Sequence, residues 1–481
     1  MLQISKNLFT QWNNKGLLYC HWKSNEHLEP GLNGETDLDV LLAKENKEEG
    51  EKILRELDFL QCKSQFGSRY PDVDDWIGFD AKTGSLIHLH LHYRIVTGHS
   101  GMKEYDLPWT EEALNTRIQD QASSVYIMEP NLEFVTLYTR IGLKCGFINR
   151  IKKIKGTYKF SKDLEKEINY LKNKISWERI TEILNPFFKK DTEKVLKIMQ
   201  LPTLSIKEVL LLKKITEKTF AAYNREHKAA KIKEIGYYII LRFRQKFRKN
   251  FGYIVRKVPK TQKGLTITFI GQDGAGKTTV CSDIIKWLNW KLDVRYYYLG
   301  SGDNYKSLIK SILDFLPKWK LFKPVRGLLF LGEFYKLSID INKYLSQAEK
   351  YSSQGGFAIL DRFPQADYKG VNDGPKLQFF ADQYVKSKHI RPLFNYWISK
   401  EERNIQKASK QSPNLVFKLL LSPEESLRRK PNENFEMVKL KHNIIKNLKF
   451  ENSIVTEVDA TMSYNDEIIL IKSVIWQNIQ K

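Results

Sequence analysis

The chain has 481 residues, of which 42% are hydrophobic, and it carries a formal net charge of +23. This length exceeds what one hydrophobic core normally serves, so several domains are expected, and the hydrophobic content excludes a globally disordered chain. The four cysteines lie far apart without a C-x-x-C pair, which indicates reduced thiols and neither a zinc site nor a disulfide framework.

The N-terminal sequence, the apolar stretches and the net charge indicate where the protein is located and which partners it binds. The N-terminus lacks a basic region followed by an apolar core, and no stretch is long enough to span a bilayer, so we expect a cytoplasmic protein. The positive charge favours polyanionic partners in general, whether nucleic acid, anionic lipid or nucleotide. No zinc finger, basic zipper or aromatic RNA-binding pattern is present, so no specific nucleic-acid motif is predicted. The sequence leaves a homodimer open.

Residues 1–130 predict a mixed α/β domain. The segment Gly34–Leu42 has the composition of a strand and carries Asp37 and Asp39. Residues two apart on a strand share a face, and two carboxylates on one face can hold a divalent metal through oxygen ligands. Both aspartates are therefore candidate metal ligands.

A second informative strand is predicted at Leu86–Arg94, where apolar and polar residues alternate strictly. The alternation points His88, His90 and His92 the same way. A histidine there can bind a metal, but all three can equally be ordinary histidines of a polar strand face.

The small-residue turn at Lys23–Ser24, the D-x-D strand and the later polar strand resemble the nucleotidyltransferase-like superfamily of DNA polymerase β. In that superfamily a Gly-Ser turn precedes D-x-D, and a third carboxylate stands on a later strand. Here lysine replaces the glycine, and the third carboxylate would fall near His90. The resemblance implies metal-dependent nucleotidyl transfer at Asp37 and Asp39. An inactive or purely structural domain stays open, because two-metal catalysis by three acids is in doubt here.

Residues 131–260 predict a mostly helical connecting region that ends in a strongly basic stretch. From Ile235 to Gly264 there is no acidic residue, and aromatic residues are interleaved with the basic ones. The basic residues are Arg242, Arg244, Lys246, Arg248, Lys249, Arg256, Lys257, Lys260 and Lys263. Such a stretch can be a solvated linker helix or, over residues 237–257, a peripheral contact with the anionic inner face of a membrane. Contact with a phosphorylated glycan, with nucleic acid or with acidic faces of the chain itself stays open as well.

The stretch Phe269–Thr279 contains the phosphate-loop pattern G-x-x-x-x-G-K-[ST]. An apolar, β-rich run at Leu265–Ile270 precedes it, and a helical segment at Val280–Leu288 follows, which is the context that the pattern requires. Glycines admit positive φ and let successive N–H groups and the helix N-terminus face phosphates. The sequence therefore predicts an ATP site.

The chemistry of phosphate binding explains the lysine and the threonine of the loop. Lys277 is expected to reach the β- and γ-phosphates, and the Thr278 hydroxyl is expected to hold Mg²⁺. The predicted nucleotide-binding residues are Gly271, Gln272, Asp273, Gly274, Ala275, Gly276, Lys277, Thr278 and Thr279.

In residues 264–481 strands alternate with helices, which predicts a parallel sheet with helices on both faces. The buried strand Gly356–Leu360 ends in Asp361 and Arg362. A carboxylate at that place is suited to a further Mg²⁺ contact, and the fork of an arginine can grip the phosphate of an acceptor. A later helix start carries a basic cluster, Arg428 to Lys430, that can cover the transferring phosphate as a lid.

These motifs are similar to those of thymidylate kinases. The phosphate loop resembles theirs, Asp361 and Arg362 stand at their Asp-Arg motif, and Pro423–Arg429 is similar to their P-E-x-x-L-x-R lid entry. The resemblance implies an ATP- and Mg²⁺-dependent kinase in which Lys277, Asp361, Arg362 and Arg429 are catalytic residues.

The acceptor is less well indicated. Arg295–Gly300 stands where thymidylate kinases carry the R-E-P-G-G-T-like segment that helps to hold the nucleoside monophosphate. The loop Asp373–Pro375 looks like a branch found in bacterial surface-polysaccharide clusters, where the kinase is often joined to an N-terminal nucleotidyltransferase-like domain. Three interpretations stay open. The first is a nucleoside monophosphate such as dTMP. The second is a sugar or lipid-linked glycan, which the aromatic run Tyr296–Tyr298 and the basic-aromatic stretch 237–257 favour. The third is a non-catalytic ATP-binding regulatory module.

Overall fold

The computed structural model describes residues 1–64, 70, 72–99, 101–146, 161–226, 230–251, 253–301, 311–312, 315, 323–384 and 391–480. The chain divides into two compact units, an N-terminal unit of residues 1–257 and a C-terminal unit of residues 258–481. Both contain strands and helices, which confirms the predicted α/β class.

The strands are β1 Tyr19–His21, β2 Asp37–Leu42, β3 Leu60–Ser64, β4 Val73–Asp80, β5 Ser85–His92, β6 Val96–Thr97, β7 Tyr105–Asp106, β8 Ile118–Gln119, β9 Tyr126–Ile127, β10 Lys257–Pro259, β11 Leu265–Gly271, β12 Val294–Tyr298, β13 Phe357–Asp361, β14 Leu415–Leu420 and β15 Ile454–Asp459. The α-helices of the N-terminal unit are Gln3–Asn14, Leu28–Leu32, Lys47–Glu56, Thr110–Asn115, Pro130–Leu143, Lys162–Lys172, Trp177–Phe188, Thr192–Gln200, Ile206–Thr219 and Ala230–Phe251. Those of the C-terminal unit are Lys277–Leu288, Lys323–Ser352, Leu377–Tyr384, Arg391–Ser409, Pro423–Arg429, Phe435–Asn447 and Tyr464–Ile479.

In the N-terminal unit the strands of the main sheet run in the order β3-β4-β5-β2-β1-β9-β8. Strands β2 and β5 are parallel, and their register sets Asp37 opposite His88 and Asp39 opposite His90. Strand β4 is antiparallel to β5 and sets Asp75 opposite His90. The predicted D-x-D strand and the predicted histidine strand are thus direct neighbours, with a further aspartate on the next strand.

The helices between residues 130 and 220 share one hydrophobic core with this sheet. Leu132, Ile180 and Phe220 from the helices belong to the same buried cluster as Trp22 and Leu41 from the sheet region. The buried faces of these helices thus share one core with the sheet, within the unit that ends at Lys257. A separate connecting region that starts at residue 131 stays a prediction.

The basic stretch begins with the helix Ala230–Phe251, on which Ile235, Ile239, Ile240 and Phe243 are exposed. Of its predicted basic and aromatic residues, the side chains of Tyr238, Arg248, Lys249 and Phe251 lie outside the described residues. None of the helices in the described part of the chain is long and apolar enough to cross a membrane. Contact with a membrane surface through residues 237–257 stays a prediction.

The C-terminal unit is built on a five-stranded sheet in the order β12-β13-β11-β14-β15, in which all neighbouring pairs are parallel. Every residue from Leu265 to Ile270 and from Phe357 to Asp361 is buried. Because successive residues of a strand point to opposite faces, both faces of the sheet are covered. The predicted parallel sheet between two helical layers is confirmed.

One predicted segment of this unit can be compared only in part. The sequence predicts basic and aromatic helical segments from Tyr305 to Ser346, after a strand that ends in Gly300, Ser301 and Gly302. The helix Lys323–Ser352 covers its second part. Residues 302–310, 313–314 and 316–322 lie outside the described residues.

Because the helices and the sheet of the N-terminal unit share one core, a substitution in that core should destabilise both of them. Phe220 is completely buried and contacts the rings of Trp109 and Phe188, so Phe220→Ala should destabilise the unit by about 3–5 kcal/mol. Hydrogen exchange followed by mass spectrometry should show faster exchange in β2 and in Pro130–Leu143 together. The matched control is Tyr223→Ala, since Tyr223 is exposed beside the same ring. Faster exchange confined to the helices would contradict a single core.

Candidate functional site

The phosphate loop connects the buried strand β11 to the helix Lys277–Leu288. Gly274 has φ +86° and Gly276, the residue that precedes the helix, has φ +78°, a conformation that strongly favours glycine. A side chain at Gly271 would come within 2.7 Å of the carbonyl oxygen of Leu419 on β14. The glycines therefore permit both the turn and the close packing of the loop on the neighbouring strand.

Lys277 lies buried at the first position of that helix. Its Nζ donates to the carbonyl oxygens of Gly271 at 2.9 Å and of Gln272 at 2.8 Å. Burial, followed by the positive charge of Arg362, lowers the pKa of Lys277 to about 8. The ammonium group is thus held over the loop, where a phosphate group would relieve the unfavourable burial of its charge.

Asp361 ends strand β13, and the parallel register sets it opposite Phe269 near the end of β11. Its Oδ2 lies 3.3 Å from the Thr278 hydroxyl and 2.7 Å from the Tyr296 hydroxyl, and both hydroxyls donate. Its Oδ1 is buried and has no hydrogen-bond partner among the residues described. Oxygen ligands are those that Mg²⁺ prefers, so Thr278 and Asp361 fit a magnesium ion.

Arg362 follows with φ +76°, a left-handed conformation that is strained for a residue with a side chain. Its N–H donates to the Phe269 carbonyl at 3.1 Å, which fixes the strained turn to the end of β11. Its guanidinium group lies between Asp273, at 3.7 Å, and Asp373, at 3.5 Å. This backbone turn directs the Arg362 guanidinium group to the phosphate loop.

The predicted lid helix Pro423–Arg429 lies against the loop. Arg429 donates to the Gly274 carbonyl at 3.2 Å, and Ser426 donates to the Asp273 carbonyl at 3.0 Å. Arg428 is 76% exposed and pairs with Glu425. Of the basic residues of this helix, Arg429 is the one bonded to the phosphate loop.

The remaining predicted loop residues have different surroundings. Gln272 and Ala275 are buried, and the Gln272 amide donates to the Leu421 carbonyl and lies 3.0 Å from His442 Nδ1. Thr279 is exposed in the first helical turn. Burial alone would raise the pKa of Asp273, but Lys441, whose Nζ lies 2.8 Å from its carboxylate, outweighs burial and holds that pKa at about 2.

A cavity of about 300 Å³ opens beside Lys277 and Arg362. Sequence reasoning missed most of its polar lining, because Lys369, Lys376 and Lys441 belong to no motif. Glu401 accepts hydrogen bonds from the N–H groups of Lys376 at 3.0 Å and of Leu377 at 2.9 Å, which fixes that part of the wall. The Tyr296 contact with Asp361 was missed too, although its place on a strand beside β13 was a usable signal.

The other two predicted metal ligands, Asp37 and Asp39, belong to the N-terminal unit and are in different surroundings from each other. Asp39 Oδ1 lies 2.7 Å from Lys23 Nζ and 3.3 Å from a ring nitrogen of His90. Asp37 Oδ1 lies 2.8 Å from His88 Nδ1. Asp37, His88 and His90 each present a ligand atom, and these atoms lie within 4.8 Å of one another; Asp39 is not part of that group.

Asp75 completes this cluster and was not predicted from the sequence. Its Oδ1 lies 3.2 Å from His88 Nε2, 3.0 Å from His90 Nε2 and 2.8 Å from Lys257 Nζ. Burial alone would raise the pKa of Asp75, but the two histidines and Lys257 hold it well below the usual range. In the same way, Lys23 outweighs burial and holds the pKa of Asp39 well below its usual range.

The similarities to known proteins reported below each cover less than half of the chain. No protein-family model matches the chain. The chain is 22% identical over 214 residues to the uncharacterised ATP-binding protein YghR of Escherichia coli K12. The aligned residues make up 42% of this chain and 82% of YghR. The YghR protein of E. coli O6:H1 gives the same figures. The deoxyadenosine kinase of M. mycoides with bound dATP covers 44% of this chain and 99% of its own, at 15% identity and a TM-score of 0.25. The P-loop kinase-like fold of the C-terminal unit rests on its own loop and parallel sheet.

The contacts of Asp361 predict that two tyrosine-to-phenylalanine substitutions differ in their effect on stability. Tyr296→Phe removes a donor from a buried carboxylate and should destabilise the C-terminal unit by about 1.5–3 kcal/mol. Tyr464→Phe removes a similar bond to the exposed Asp283 and should cost less. Hydrogen exchange of β11 and β13 across a urea series measures both. Equal effects would mean that the Tyr296 hydroxyl does not stabilise the Asp361 carboxylate.

Proposed function

We propose that the C-terminal unit is an Mg·ATP-dependent phosphotransferase that moves the γ-phosphoryl group to a phosphorylated acceptor. The observation that carries this proposal is the convergence of Lys277, Thr278 and Asp361 on one phosphate loop, with Arg362 in the adjoining cavity. The name of the E. coli relative, an ATP-binding protein, agrees with it.

The parts of the site suit a reaction that depends on positioning and charge. The transfer forms a bond between an acceptor oxygen and the γ-phosphorus and breaks the bond to the bridging oxygen, which leaves with ADP. Lys277 and the loop N–H groups would stabilise negative charge on the transferring group, and Arg362 would hold the acceptor. Thr278 and Asp361 would hold Mg²⁺, which when bound neutralises phosphate charge.

The charge of the cavity favours an anionic acceptor. Five cationic side chains line it against the two carboxylates of Asp273 and Asp373. The cations are Lys277, Arg362, Lys369, Lys376 and Lys441. A phosphate oxygen is already ionised at neutral pH and needs no general base, whereas a hydroxyl acceptor does. This surplus of positive charge supports a phosphate as the group that is phosphorylated.

Apart from Asn372 and two glycines, the rest of the cavity wall is apolar. Its apolar residues are Ile270, Phe363, Val371, Phe379, Met437, Ile445 and Leu448. A wall of aromatic and aliphatic side chains suits a planar base, since ligand sites combine an apolar lining with a few polar groups. We therefore infer a nucleoside monophosphate acceptor of the dTMP type.

A sugar or lipid-linked glycan of surface-polysaccharide synthesis is the weaker candidate. The aromatic run Tyr296–Tyr298 favoured it, but the Tyr296 hydroxyl is bonded to Asp361 and the Tyr297 ring is buried. These contacts give the run a role within the phosphate site and the core. The glycan then rests on the sequence resemblance and on the basic-aromatic stretch 237–257.

The acceptor is tested by turnover of the purified full chain with Mg·ATP. Acceptors are dTMP, the other nucleoside monophosphates and a sugar phosphate, beside a reaction without acceptor, with products separated by ion-exchange chromatography. Formation of dTDP supports the proposal, and preference for the sugar phosphate moves it to the glycan class. Nucleotide binding without any transfer would contradict it in favour of a regulatory module.

Lys277→Ala should reduce transfer at least about 100-fold, because the charge that faces the transferring phosphate is lost. The matched control is Lys286→Ala, which removes an exposed lysine from the same helix and should leave the rate unchanged. Initial rates under saturating Mg·ATP measure both variants, with circular dichroism to verify folding. Retained activity in a folded Lys277→Ala protein would remove the loop lysine from the mechanism.

Arg362→Gln should raise the KM for the acceptor roughly 10- to 100-fold, the equivalent of one charge-assisted hydrogen bond. Binding of Mg·ATP should change little, because the guanidinium group faces the cavity and Asp273. The control is Arg428→Gln, which removes an exposed arginine of the lid helix. An unchanged acceptor KM, or an equal change in the control, would show that Arg362 does not bind the acceptor.

A further inference from the structure

The N-terminal unit contains a cluster of histidines and carboxylates at the centre of its sheet, which the proposed phosphotransfer does not use. The parallel pairing of β2 with β5 aligns Asp37 with His88, and the antiparallel pairing of β4 with β5 aligns Asp75 with His90. The rings of His88 and His90 lie 4.4 Å apart between centroids. Three neighbouring strands therefore direct their polar side chains to one place.

We propose that Asp37, His88 and His90 form a binding site for one divalent transition-metal ion. One carboxylate oxygen and two ring nitrogens lie within 4.8 Å of one another, a spacing that a single ion can bridge. Imidazole nitrogen suits zinc, iron, nickel and copper, whereas magnesium prefers oxygen ligands and keeps several waters. The donor set therefore selects a metal class different from the magnesium of nucleotidyltransferases.

The neighbouring carboxylates are not arranged as in an all-oxygen site. Asp39 is compensated by Lys23 at 2.7 Å, and Asp75 by Lys257, the last residue of the N-terminal unit, at 2.8 Å. A cation already stands beside each of the two acids that would have to bind magnesium together with Asp37. Two of the three acids of this cluster are thus already paired with a lysine of the chain.

One of these acids, Asp75, suits a different role, that of orienting the histidines. Its Oδ1 lies 3.2 Å from His88 Nε2 and 3.0 Å from His90 Nε2, so it can accept the N–H of the ring nitrogen that an ion does not use. Histidine ligands of metals usually donate their second N–H to a carboxylate, which fixes the tautomer and the ring orientation. Such outer contacts are a second observation, beside the spacing, that points to a metal.

Exposure gives the site one open side. The His88 side chain is 1% exposed, whereas those of Asp37 and His90 are 31% and 21% exposed. An ion can therefore enter from the side of Asp37, and three protein ligands leave a position for water or substrate, as in metal sites that are not closed by a fourth side chain. The lack of a C-x-x-C pair argues against a zinc site built from cysteines, but not against one built from an aspartate and two histidines.

The test is metal binding by the full chain after removal of metals with EDTA. Zn²⁺ is titrated in competition with a chromophoric chelator, without nucleotide, and Co²⁺ serves as a spectroscopic probe because its visible absorption reports nitrogen and oxygen ligation. We expect one tight site per chain that millimolar Mg²⁺ does not displace. His90→Gln and Asp37→Asn should each weaken it by roughly 100-fold, since even outer partners of metal ligands are typically worth about 10- to 100-fold.

His27→Gln is the matched control, because it removes a histidine that is exposed to solvent and pairs with Glu26 outside the cluster. It should bind Zn²⁺ like the unchanged protein. Circular dichroism of each variant in EDTA separates loss of ligand from loss of fold. The proposal is overturned if no stoichiometric site exists, if His27→Gln weakens binding as much as His90→Gln, or if Mg²⁺ displaces Zn²⁺ at comparable concentration.

Discussion

The C-terminal unit depends on the parallel pairing of two fully buried strands, β11 and β13. Parallel strands end at the same edge of a sheet, so the turn after β11 and the carboxylate at the end of β13 meet there without any long loop to bring them together. Everything else at the site is attached to this edge. Tyr296 reaches Asp361 from the adjacent strand β12, and the Arg362 N–H is bonded to the Phe269 carbonyl. The rigidity of buried strands is what gives these polar groups fixed distances.

Strand pairing also decides the chemistry of the N-terminal unit. The side-chain period of a strand is two, so a shift of β5 by one residue would replace His88 and His90 with leucines at the positions facing Asp37 and Asp39. The register is fixed because those leucines are fully buried in the core below. Apolar packing on one face of the sheet therefore determines which polar groups meet on the other. The histidine and aspartate contacts follow from that packing.

Sequence patterns predicted those elements of the protein that depend only on residues close together in the chain. Strand alternation located β5, the apolar run located β11, and the glycine spacing located the turn in which Gly274 and Gly276 have positive φ. Patterns did not predict what depends on distant pairing. The role of Asp75 requires knowing that β4 lies beside β5, and that of Lys441 requires knowing which helix faces the loop. The core that the helices after residue 130 share with the sheet could not be predicted for the same reason, because amphipathic helices do not reveal in sequence which surface covers them.

The ion pair between Lys23 and Asp39 has a consequence for how this site can be altered. The Lys23 ammonium group stands 2.7 Å from the Asp39 carboxylate, so the chain itself supplies the cation that this acid needs. The adjacent Ser24 has a left-handed conformation, with φ +56°, and Lys23 is not among the residues with positive φ. Replacing Lys23 by a neutral residue would therefore remove a tethered cation and leave the charge of Asp39 to be met by a cation from solution. The identity of residue 23 thus decides whether this acid is held by the chain or exposed to external cations.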